Sequence, residues 1–246
     1  MTSSELWNRA TAERYDAEET GMSSAEVLGP TLDFLAELAG DGRALEFAIG
    51  TGRVGVPLRE RGVPVTGIER SPHMAAVLRR KAGEDVLPVV LGDMASTVVP
   101  GEFALVYLVY NTITNLLTQD EQVACFRNAA RHLAPGGRFV IELGVPPLRL
   151  LPPGQAAVPF DVSEGHVGFD TFDLVEQVLV SHHLTRDAED GRYRRESSRH
   201  RYAWPAELDL MARIAGLEPE RRVADWDGSP FNQDSTRHVS VWRKPL

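Results

Sequence analysis

A chain of 246 residues with 43% hydrophobic and 25% charged side chains has the composition of a folded globular protein, which excludes a disordered one. Its formal net charge of -9 repels a phosphate backbone on average, so we expect no nucleic-acid partner. With a single cysteine, Cys125, an internal disulfide and a cysteine-rich zinc site are excluded, and we expect no metal.

The first half of the chain alternates between helical and strand-like patterns. Two helices come first, from Glu5 to about Tyr15 and over residues 26–40. Strand-like segments follow at residues 43–49, 63–69, 86–93, 102–111 and 138–143, with helical segments at 52–62, 71–83 and from Thr118 to a stop at Pro135–Gly137. This alternation predicts a parallel sheet with helices on both faces.

After Leu143 the pattern changes to a proline-rich connector and antiparallel β-strands. Strands are predicted within residues 166–187, 191–204 and 237–244, with a hairpin signal at 189–192 and one more helix at 205–216. We expect residues 146–204 to form a small β-rich cover that roofs the open end of the sheet. The chain from 1 to 246 is then a single domain, whose core comprises about 25–145 and 205–246.

The stretch EFAIGTGRVG fits two kinds of cofactor site. Gly50, Gly52 and Gly55 have the G-x-G-x-x-G spacing of a dinucleotide-binding turn. Glu46 suits instead a ligand with an ammonium group and a cationic sulfur, through charge-assisted hydrogen bonds of about 1.5–3 kcal/mol each. A pyrophosphate gains nothing from a nearby carboxylate, which favours the second interpretation and leaves the first open.

Carboxylates end three successive predicted strands. Glu46, Glu69 and Asp93 would meet at one edge of the sheet because the strands are parallel. Glu69 can accept both hydroxyls of a ribose, which either kind of cofactor carries. Met94, next to Asp93, offers a polarizable apolar surface to an adenine. The alternative is that each carboxylate only caps the turn that follows it.

Four stretches together resemble the class I S-adenosylmethionine-dependent methyltransferases: LEFAIGTGRV, VTGIERSPHM, LGDM and HLAPGGRFVIEL, in that order. The resemblance covers about residues 40–145 closely and extends loosely to a final strand at HVSVWRK. It implies an α/β fold with an open, mostly parallel, seven-stranded Rossmann-like sheet and an antiparallel C-terminal strand. It also implies S-adenosyl-L-methionine as cofactor and S-adenosyl-L-homocysteine as product.

The resemblance also assigns cofactor-binding residues. It implies that the methionine portion is held by Glu46, Gly50 and Gly52, the ribose by Glu69, and the adenine by Asp93 and Met94. Further expected cofactor neighbours are Tyr15, Ala48, Thr51, Arg70, Met74, Tyr110 and Asn111. Ala48 departs from the family, which usually has a glycine there, and we expect it to be tolerated only if its backbone avoids a positive φ.

The methyl acceptor is expected to be a small molecule that receives the group on nitrogen or oxygen, because the chain is similar to the small-molecule branch of the family. Adjacent strand residues point to opposite faces, so at most one of His182 and His183 can be catalytic. Expected substrate-binding residues are Asn115, Asp227, Phe231 and His238.

Two alternatives stay open from the sequence. One is a protein that binds S-adenosylmethionine without turnover, and the other is an NAD(P)-dependent oxidoreductase. The N-terminal residues lack the apolar segment of a secretion signal, and no run reaches membrane-spanning length. We therefore expect a cytoplasmic protein without membrane contact, of undetermined oligomeric state.

Overall fold

The computed structural model of the protein describes residues 7–18, 24–187 and 190–246. Its helices are α1 (Arg9–Glu18), α2 (Ala25–Ala39), α3 (Gly55–Glu60), α4 (Pro72–Arg79), α5 (Gln119–His132) and α6 (Pro205–Ile214), with 3-10 turns at Thr112–Asn115 and Pro147–Leu150. The predicted helix start at Glu5 and residue Glu189 of the predicted hairpin lie outside the described residues.

Short side chains begin three of these helices. The hydroxyl groups of Ser24, Ser71 and Thr118 each accept a hydrogen bond from the backbone N–H three residues later. Thr118 and Glu121 form a reciprocal capping box, which fixes the start of α5 where the sequence predicts it.

The larger sheet has seven strands, numbered with the rest in chain order. They are β1 (Ala44–Phe47), β2 (Val65–Glu69), β3 (Val89–Leu91), β4 (Phe103–Leu108), β5 (Leu133–Gly144), β10 (Glu218–Val223) and β11 (Arg237–Arg243). Their order across the sheet is β10-β11-β5-β4-β1-β2-β3, and β11 alone runs antiparallel to both its neighbours. The strand order reverses between β1 and β4, which opens a crevice at their carboxyl ends.

Helices cover both faces of this sheet, as the alternating pattern predicts. On one face Leu45 and Phe47 pack with Phe126 of α5 and Trp242 of β11. On the other face, buried side chains of the strands pack against α2, α3 and α4, including Leu35, Leu58 and Leu78. The central strands β1 and β4 are therefore buried on both sides, which is why they are mostly apolar.

The smaller sheet is a four-stranded antiparallel meander in the order β6-β7-β8-β9. Its strands are β6 (Ala157–Val162), β7 (His166–Asp173), β8 (Val178–Arg186) and β9 (Tyr193–Arg201). Its register places Asp170 opposite Ser181 and Ser181 opposite Ser198. We refer to this sheet as the cover. None of the described helices has the length and apolar character needed to cross a membrane.

Several element boundaries differ from those predicted, and two of these differences have a visible structural cause. β5 begins at Leu133, because Gly136 donates to the carbonyl of Lys244 and Gly137 accepts from the N–H of Lys244 (2.9 and 2.8 Å), which holds the Pro-Gly-Gly segment in the sheet. β4 ends at Leu108 because Tyr110 and Asn111 both adopt left-handed φ angles, of 57° and 59°.

The edge strand β6 is not predicted from the sequence. This strand is mostly exposed and contains a proline, so it lacks the apolar alternation that identifies a buried strand.

Candidate functional site

A cavity of about 410 Å³ lies where β1 and β4 end, at the reversal of strand order. Residues from three separate regions line it: the N-terminal segment, the turns after β1, β2 and β4, and the cover with the connector before it. The proline-rich connector and the cover therefore roof this end of the sheet, as the sequence analysis predicts. The volume falls within the range of small-molecule sites, about 300–1,000 Å³.

Glu46 lies at the bottom of the cavity and is 2% exposed. The hydroxyl of Tyr107 donates to its Oε2 at 2.9 Å, and the N–H of Gly55 also donates to this carboxylate. Burial raises the pKa of Glu46 to about 8, although Tyr107 and the charge of Arg53 oppose the shift. The Glu46 carboxyl therefore carries a proton at neutral pH until a cation approaches it.

Gly55 serves this carboxylate rather than a phosphate. A Cβ at Gly55 would lie 2.6 Å from Oε2 of Glu46, so only glycine allows the helix start to approach the acid. Gly52 has a related packing role, because a Cβ there would lie 2.8 Å from Val56 and 3.1 Å from Leu78. Close side-chain packing thus explains the glycine at position 52, and the approach of the Glu46 carboxylate explains the glycine at position 55. Gly52 is not among the residues that line the cavity.

Glu69, at the end of β2, caps two turns and also lines the cavity. Its Oε2 accepts from the N–H of Gly50 at 2.8 Å, and its Oε1 accepts from the N–H of Ser71 at 2.7 Å. Burial raises the pKa of Glu69, and these hydrogen bonds oppose the shift. Each carboxylate oxygen can accept a second hydrogen bond, so capping leaves acceptor capacity for a ligand.

Asp93 acts chiefly as a cap in this structure. Its Oδ1 accepts from the N–H of Ala95 at 2.8 Å, and its Oδ2 pairs with Nη1 of Arg70 at 3.2 Å. Asp93, Met94 and Arg70 are not among the described residues that line the cavity. Of the three acids at strand ends, Glu46 and Glu69 enter the cavity and Asp93 lies outside its boundary.

Ala48 does not meet the condition that the sequence analysis set for it. Its φ is 52°, in the left-handed region, and Gly50 two residues later has a φ of 60°. A left-handed conformation costs a residue with a Cβ about 1–2 kcal/mol. The turn after β1 therefore keeps the shape that a glycine would give it and stores strain at the cavity wall.

The N-terminal segment closes one side of the cavity. The hydroxyl of Ser71 donates to the carbonyl of Trp7 at 2.7 Å, and the Trp7 ring meets the Tyr15 ring edge-on at 5.8 Å. Both rings pack against the cluster of Ala12 and Met74. Trp7, Tyr15 and Met74 all line the cavity, and Trp7 is a contact that the sequence analysis missed.

Two consecutive left-handed residues turn the chain into the cavity after β4. The N–H of Tyr110 donates to Oε2 of Glu142 at 2.8 Å, and Oδ1 of Asn111 accepts from the N–H of Gly144 at 2.7 Å. These bonds hold a backbone shape that β-strand propensity does not favour. Tyr110, Asn111, Thr51 and Asn115 line the cavity, as the sequence analysis expects.

Arg53 is a further lining residue that the sequence analysis did not single out. Its guanidinium lies 5.3 Å from the centre of the Tyr110 ring and lowers the pKa of Glu46 through its charge. An arginine three residues after a glycine turn is common on a helix surface, so sequence alone gave no reason to select it.

The cover contributes side chains that the sequence analysis did not assign to the site. Those that line the cavity are Asp170, Leu179, Ser181, His200 and Tyr202. Asp170, Leu179, Ser181 and His200 share one face of the sheet because the strand period is two and the register aligns them, and Tyr202 follows the end of β9. Only that register, set by tertiary pairing, brings Asp170 of β7 beside Ser181 of β8.

His200 is held in one orientation. Its Nδ1 lies 3.2 Å from Oγ1 of Thr114, and its Nε2 lies 2.7 Å from Oγ of Ser198. The Thr114 hydroxyl donates to the carbonyl of Asn111 at 2.8 Å, which leaves its oxygen to accept from His200 Nδ1–H. Burial lowers the pKa of His200, which favours the neutral ring.

His182 and His183 lie on opposite faces of the cover, and neither lines the cavity. The ring of His182 stacks on Phe169 at 4.8 Å, and its Nδ1 lies 2.9 Å from Oγ of Ser197, on the face turned away from Ser181. His183 shares the face of Ser181, but its Nδ1 contacts Nε2 of His166 at 3.0 Å. The structure corrects the expectation that one of this pair faces the acceptor: the histidine of the cavity is His200.

The loop before β11 also lies away from the cavity. The Asp227 side chain accepts from the N–H of Ser229 at 2.9 Å and is exposed. Phe231 meets the His238 ring edge-on at 5.7 Å, and His238 is fully buried, with its pKa lowered to about 4 by burial. Asp227, Phe231 and His238 are therefore not among the described residues that line the cavity, and β11, which starts at Arg237, carries His238 into the sheet.

Known proteins similar to this chain are methyltransferases. The family model described as a methyltransferase domain matches residues 44–137. The structure of the CcbJ methyltransferase from Streptomyces caelestis is 37% identical, has a TM-score of 0.79, and aligns with 88% of this chain and 89% of its own. The cypemycin N-terminal methyltransferase from Streptomyces sp is 27% identical over 245 residues, 98% of both chains.

A third similar protein was solved with its cofactor. CalS10, an amino pentose methyltransferase from Micromonospora echinaspora bound to S-adenosylmethionine, shares the fold at a TM-score of 0.73 and 23% identity, covering 94% of this chain and 96% of its own. One conclusion follows from the fold, from the acids at the strand ends and from a relative that is 37% identical over most of the chain. This chain belongs to the S-adenosylmethionine-dependent methyltransferases.

Proposed function

We propose that the protein methylates a nitrogen atom of a small molecule. The observation that carries this proposal is a single cavity in which the acids after β1 and β2 face polar side chains of the cover. Its described lining residues include the carboxyl groups of Glu46, Glu69 and Asp170 and one guanidinium, that of Arg53, and Glu46 gains its negative charge when a cation approaches. Such a cavity favours cationic groups, which an amine substrate presents at neutral pH. The relative named above as an N-terminal methyltransferase supports the same acceptor atom.

The chemistry of the lining residues fits S-adenosylmethionine. We assign the ammonium of its methionine portion to Glu46 and its carboxylate to Arg53, whose planar guanidinium suits that group. Glu69 would accept hydrogen bonds from the ribose hydroxyls. The space beside Gly50 is open to a ligand, because even a Cβ added there would meet no atom closer than 3.5 Å. We keep Asp93 and Met94 as the proposed adenine contacts, reached beyond the mouth of the cavity.

When bound, the cofactor supplies an electrophilic methyl group, whose transfer forms an N–C bond and leaves the electron pair of the C–S bond on sulfur. The protein's own task is to align the acceptor and exclude water. Leu179 and Tyr202 of the cover, with Pro146 and Pro147 of the connector, present apolar surface for that purpose. Asn115 and His200 supply polar groups at the same end, where we place the acceptor.

The cofactor assignment is tested by calorimetric titration with S-adenosylmethionine, S-adenosylhomocysteine and NADH. We expect both sulfur ligands to bind the wild-type protein, NADH not to bind, and Glu69→Ala to lose at least about tenfold in affinity, the effect of one charge-assisted hydrogen bond. Binding of NADH alone would contradict the assignment.

The acceptor atom is tested by transfer of labelled methyl to matched pairs of amines and alcohols, including amino sugars and short peptides with free N-termini. Label on the amines supports the proposal, and label on the alcohols alone contradicts it. A cytoplasmic location and the absence of a nucleic-acid substrate stay predictions from the sequence.

A further inference from the structure

Asp170 is a carboxylate inside the cavity that the cofactor assignment leaves unused. It lies on β7 of the cover, opposite Ser181 in the strand register, and both residues line the cavity. The Ser181 hydroxyl donates to Oδ1 of Asp170. Within residues 7–18, 24–187 and 190–246, no lysine or arginine forms an ion pair with this carboxylate.

The surroundings of Asp170 do not neutralise its charge. The titratable groups that act on its charge are His183 and His182 on β8, and His200 lines the same cavity from β9. Burial lowers the pKa of both His183 and His200, so these rings favour their neutral forms. Burial also raises the pKa of Asp170 itself. A partly buried carboxylate without a cationic partner is costly, and a ligand cation would remove that cost.

We infer that Asp170 binds the ammonium group of the acceptor and removes its proton before methyl transfer. This inference rests on the proposed function, because it needs an amine acceptor. The step is balanced: R–NH₃⁺ and the Asp170 carboxylate become R–NH₂ and the Asp170 carboxylic acid. The N–H electron pair stays on nitrogen as the lone pair that attack requires, and the proton later leaves Asp170 for solvent.

Ser181 orients the Asp170 carboxylate. Its hydrogen bond to Oδ1 fixes the orientation of the carboxylate and leaves Oδ2 for the acceptor. The side chain comes from a rigid, four-stranded sheet rather than from a loop, which suits a group that must meet a nitrogen at hydrogen-bond distance.

The test uses simple probes, so that it does not depend on the identity of the natural acceptor. The full-length protein is loaded with S-adenosylhomocysteine and titrated with cyclohexylammonium and, separately, with cyclohexanol, by saturation-transfer NMR. The variants are Asp170→Asn, which keeps the size of the side chain, and Glu196→Gln as the matched control. Glu196 is an exposed carboxylate on β9 that pairs with Arg194.

We expect wild-type protein and Glu196→Gln to bind cyclohexylammonium at least about tenfold more tightly than cyclohexanol, and Asp170→Asn to lose that preference. Absence of the preference in the wild-type protein, or its persistence in Asp170→Asn, overturns the inference. The wild-type comparison needs no variant and stands even if Asp170→Asn fails to fold. Failure of S-adenosylhomocysteine to bind in the same samples would instead count against the proposed function.

Discussion

Glu46 shows how one buried side chain couples cofactor binding to pH. Its pKa of about 8 in the ligand-free protein comes mainly from burial, with Tyr107 and Arg53 acting in the opposite direction. A cationic ligand beside the carboxylate would lower this pKa, so binding must release a proton at neutral pH. The affinity for a cationic ligand therefore falls as the pH drops below this pKa of Glu46.

We predict that affinity for S-adenosylmethionine rises between about pH 6 and pH 7, approaching tenfold per pH unit, the limit for one linked proton. The amino group of the ligand stays mostly protonated in that interval. Calorimetry in two buffers of different ionisation enthalpy measures the proton released. Glu46→Gln should bind more weakly and lose the pH dependence. Equal slopes in variant and wild type would contradict the assignment to Glu46.

Ala48 gives a second prediction for a single residue. Replacing it by glycine relieves about 1–2 kcal/mol of left-handed strain, while the added freedom of the unfolded chain costs about 0.4–1 kcal/mol. Ala124, in the middle of α5, is also half-buried but helical. We expect Ala48→Gly to change stability little or to raise it, and Ala124→Gly to lose about 1 kcal/mol. Urea denaturation of both variants measures the two changes in stability. Equal losses of stability would contradict the presence of strain at Ala48.

Among the secondary-structure elements, the attachment of the cover depends on a buried arginine at the end of β9. Arg201 donates to Oε1 of Glu207 on α6 and to Oε1 of Gln122 on α5, each at 2.6 Å. The Arg201 side chain is only 6% exposed. Hydrogen bonds from Arg201, Gln119 and Gln177 hold the pKa of Glu207 below its usual range even though burial acts to raise it. This network fixes the cover against the helices of the larger sheet.

We predict that Arg201→Met destabilises the protein by about 3 kcal/mol, because it leaves the Glu207 carboxylate buried without its partner. The matched control is Arg194→Met on the same strand, whose ion pair with Glu196 is more than half exposed and should contribute less than about 1 kcal/mol. Urea denaturation provides both values. A loss at Arg201 no larger than at Arg194 would mean that the cover is held by its other contacts.

Across the whole molecule, the cavity is assembled from segments far apart in sequence. Trp7 and Tyr15 approach from the N-terminal side, the acids come from β1 and β2, and further lining residues come from the cover. A ligand in this cavity would therefore touch elements that share few direct contacts with one another. Ligand binding should stabilise them together.

We predict that saturating S-adenosylhomocysteine slows amide hydrogen exchange in α1 and β8 as well as in the turn after β1. At a hundredfold excess over Kd the ligand adds about 2.7 kcal/mol, so amides that exchange by opening the site should slow by up to about a hundredfold. The exposed edge strand β6 serves as the internal control and should change little. Protection confined to the turn after β1 would show that α1 does not close over the ligand.

Much of the larger sheet follows from local rules. The buried strands are short apolar runs, and Ser71 and Thr118 cap the helices that follow them. Glu46 and Glu69 lie at strand ends, and parallel strands end at one edge of the sheet. Each of these signals lies within a few residues of the feature it predicts. The family resemblance has a similar origin, since three of its four stretches contain the turns after β1, β2 and β3 and the fourth contains most of β5.

The acceptor end of the site could not be predicted in the same way. Asp170, Ser181 and His200 lie on three different strands, and only the register of the cover brings them together. His182 and His183 stood out because they are adjacent in sequence, yet strand geometry points one away from the site and leaves the other against His166. His238 is expected from the sequence to bind substrate, but pairing of β11 with β5 buries it.

The sequence by itself determined the parallel sheet, the family and the acids of the cofactor end, because periodicity, caps and strand-end residues are local properties. The tertiary structure alone decided the left-handed backbone of Ala48, the burial that raises the pKa of Glu46 and the cover residues that line the cavity. These depend on burial and on pairing between distant segments, and no short stretch of sequence records either one.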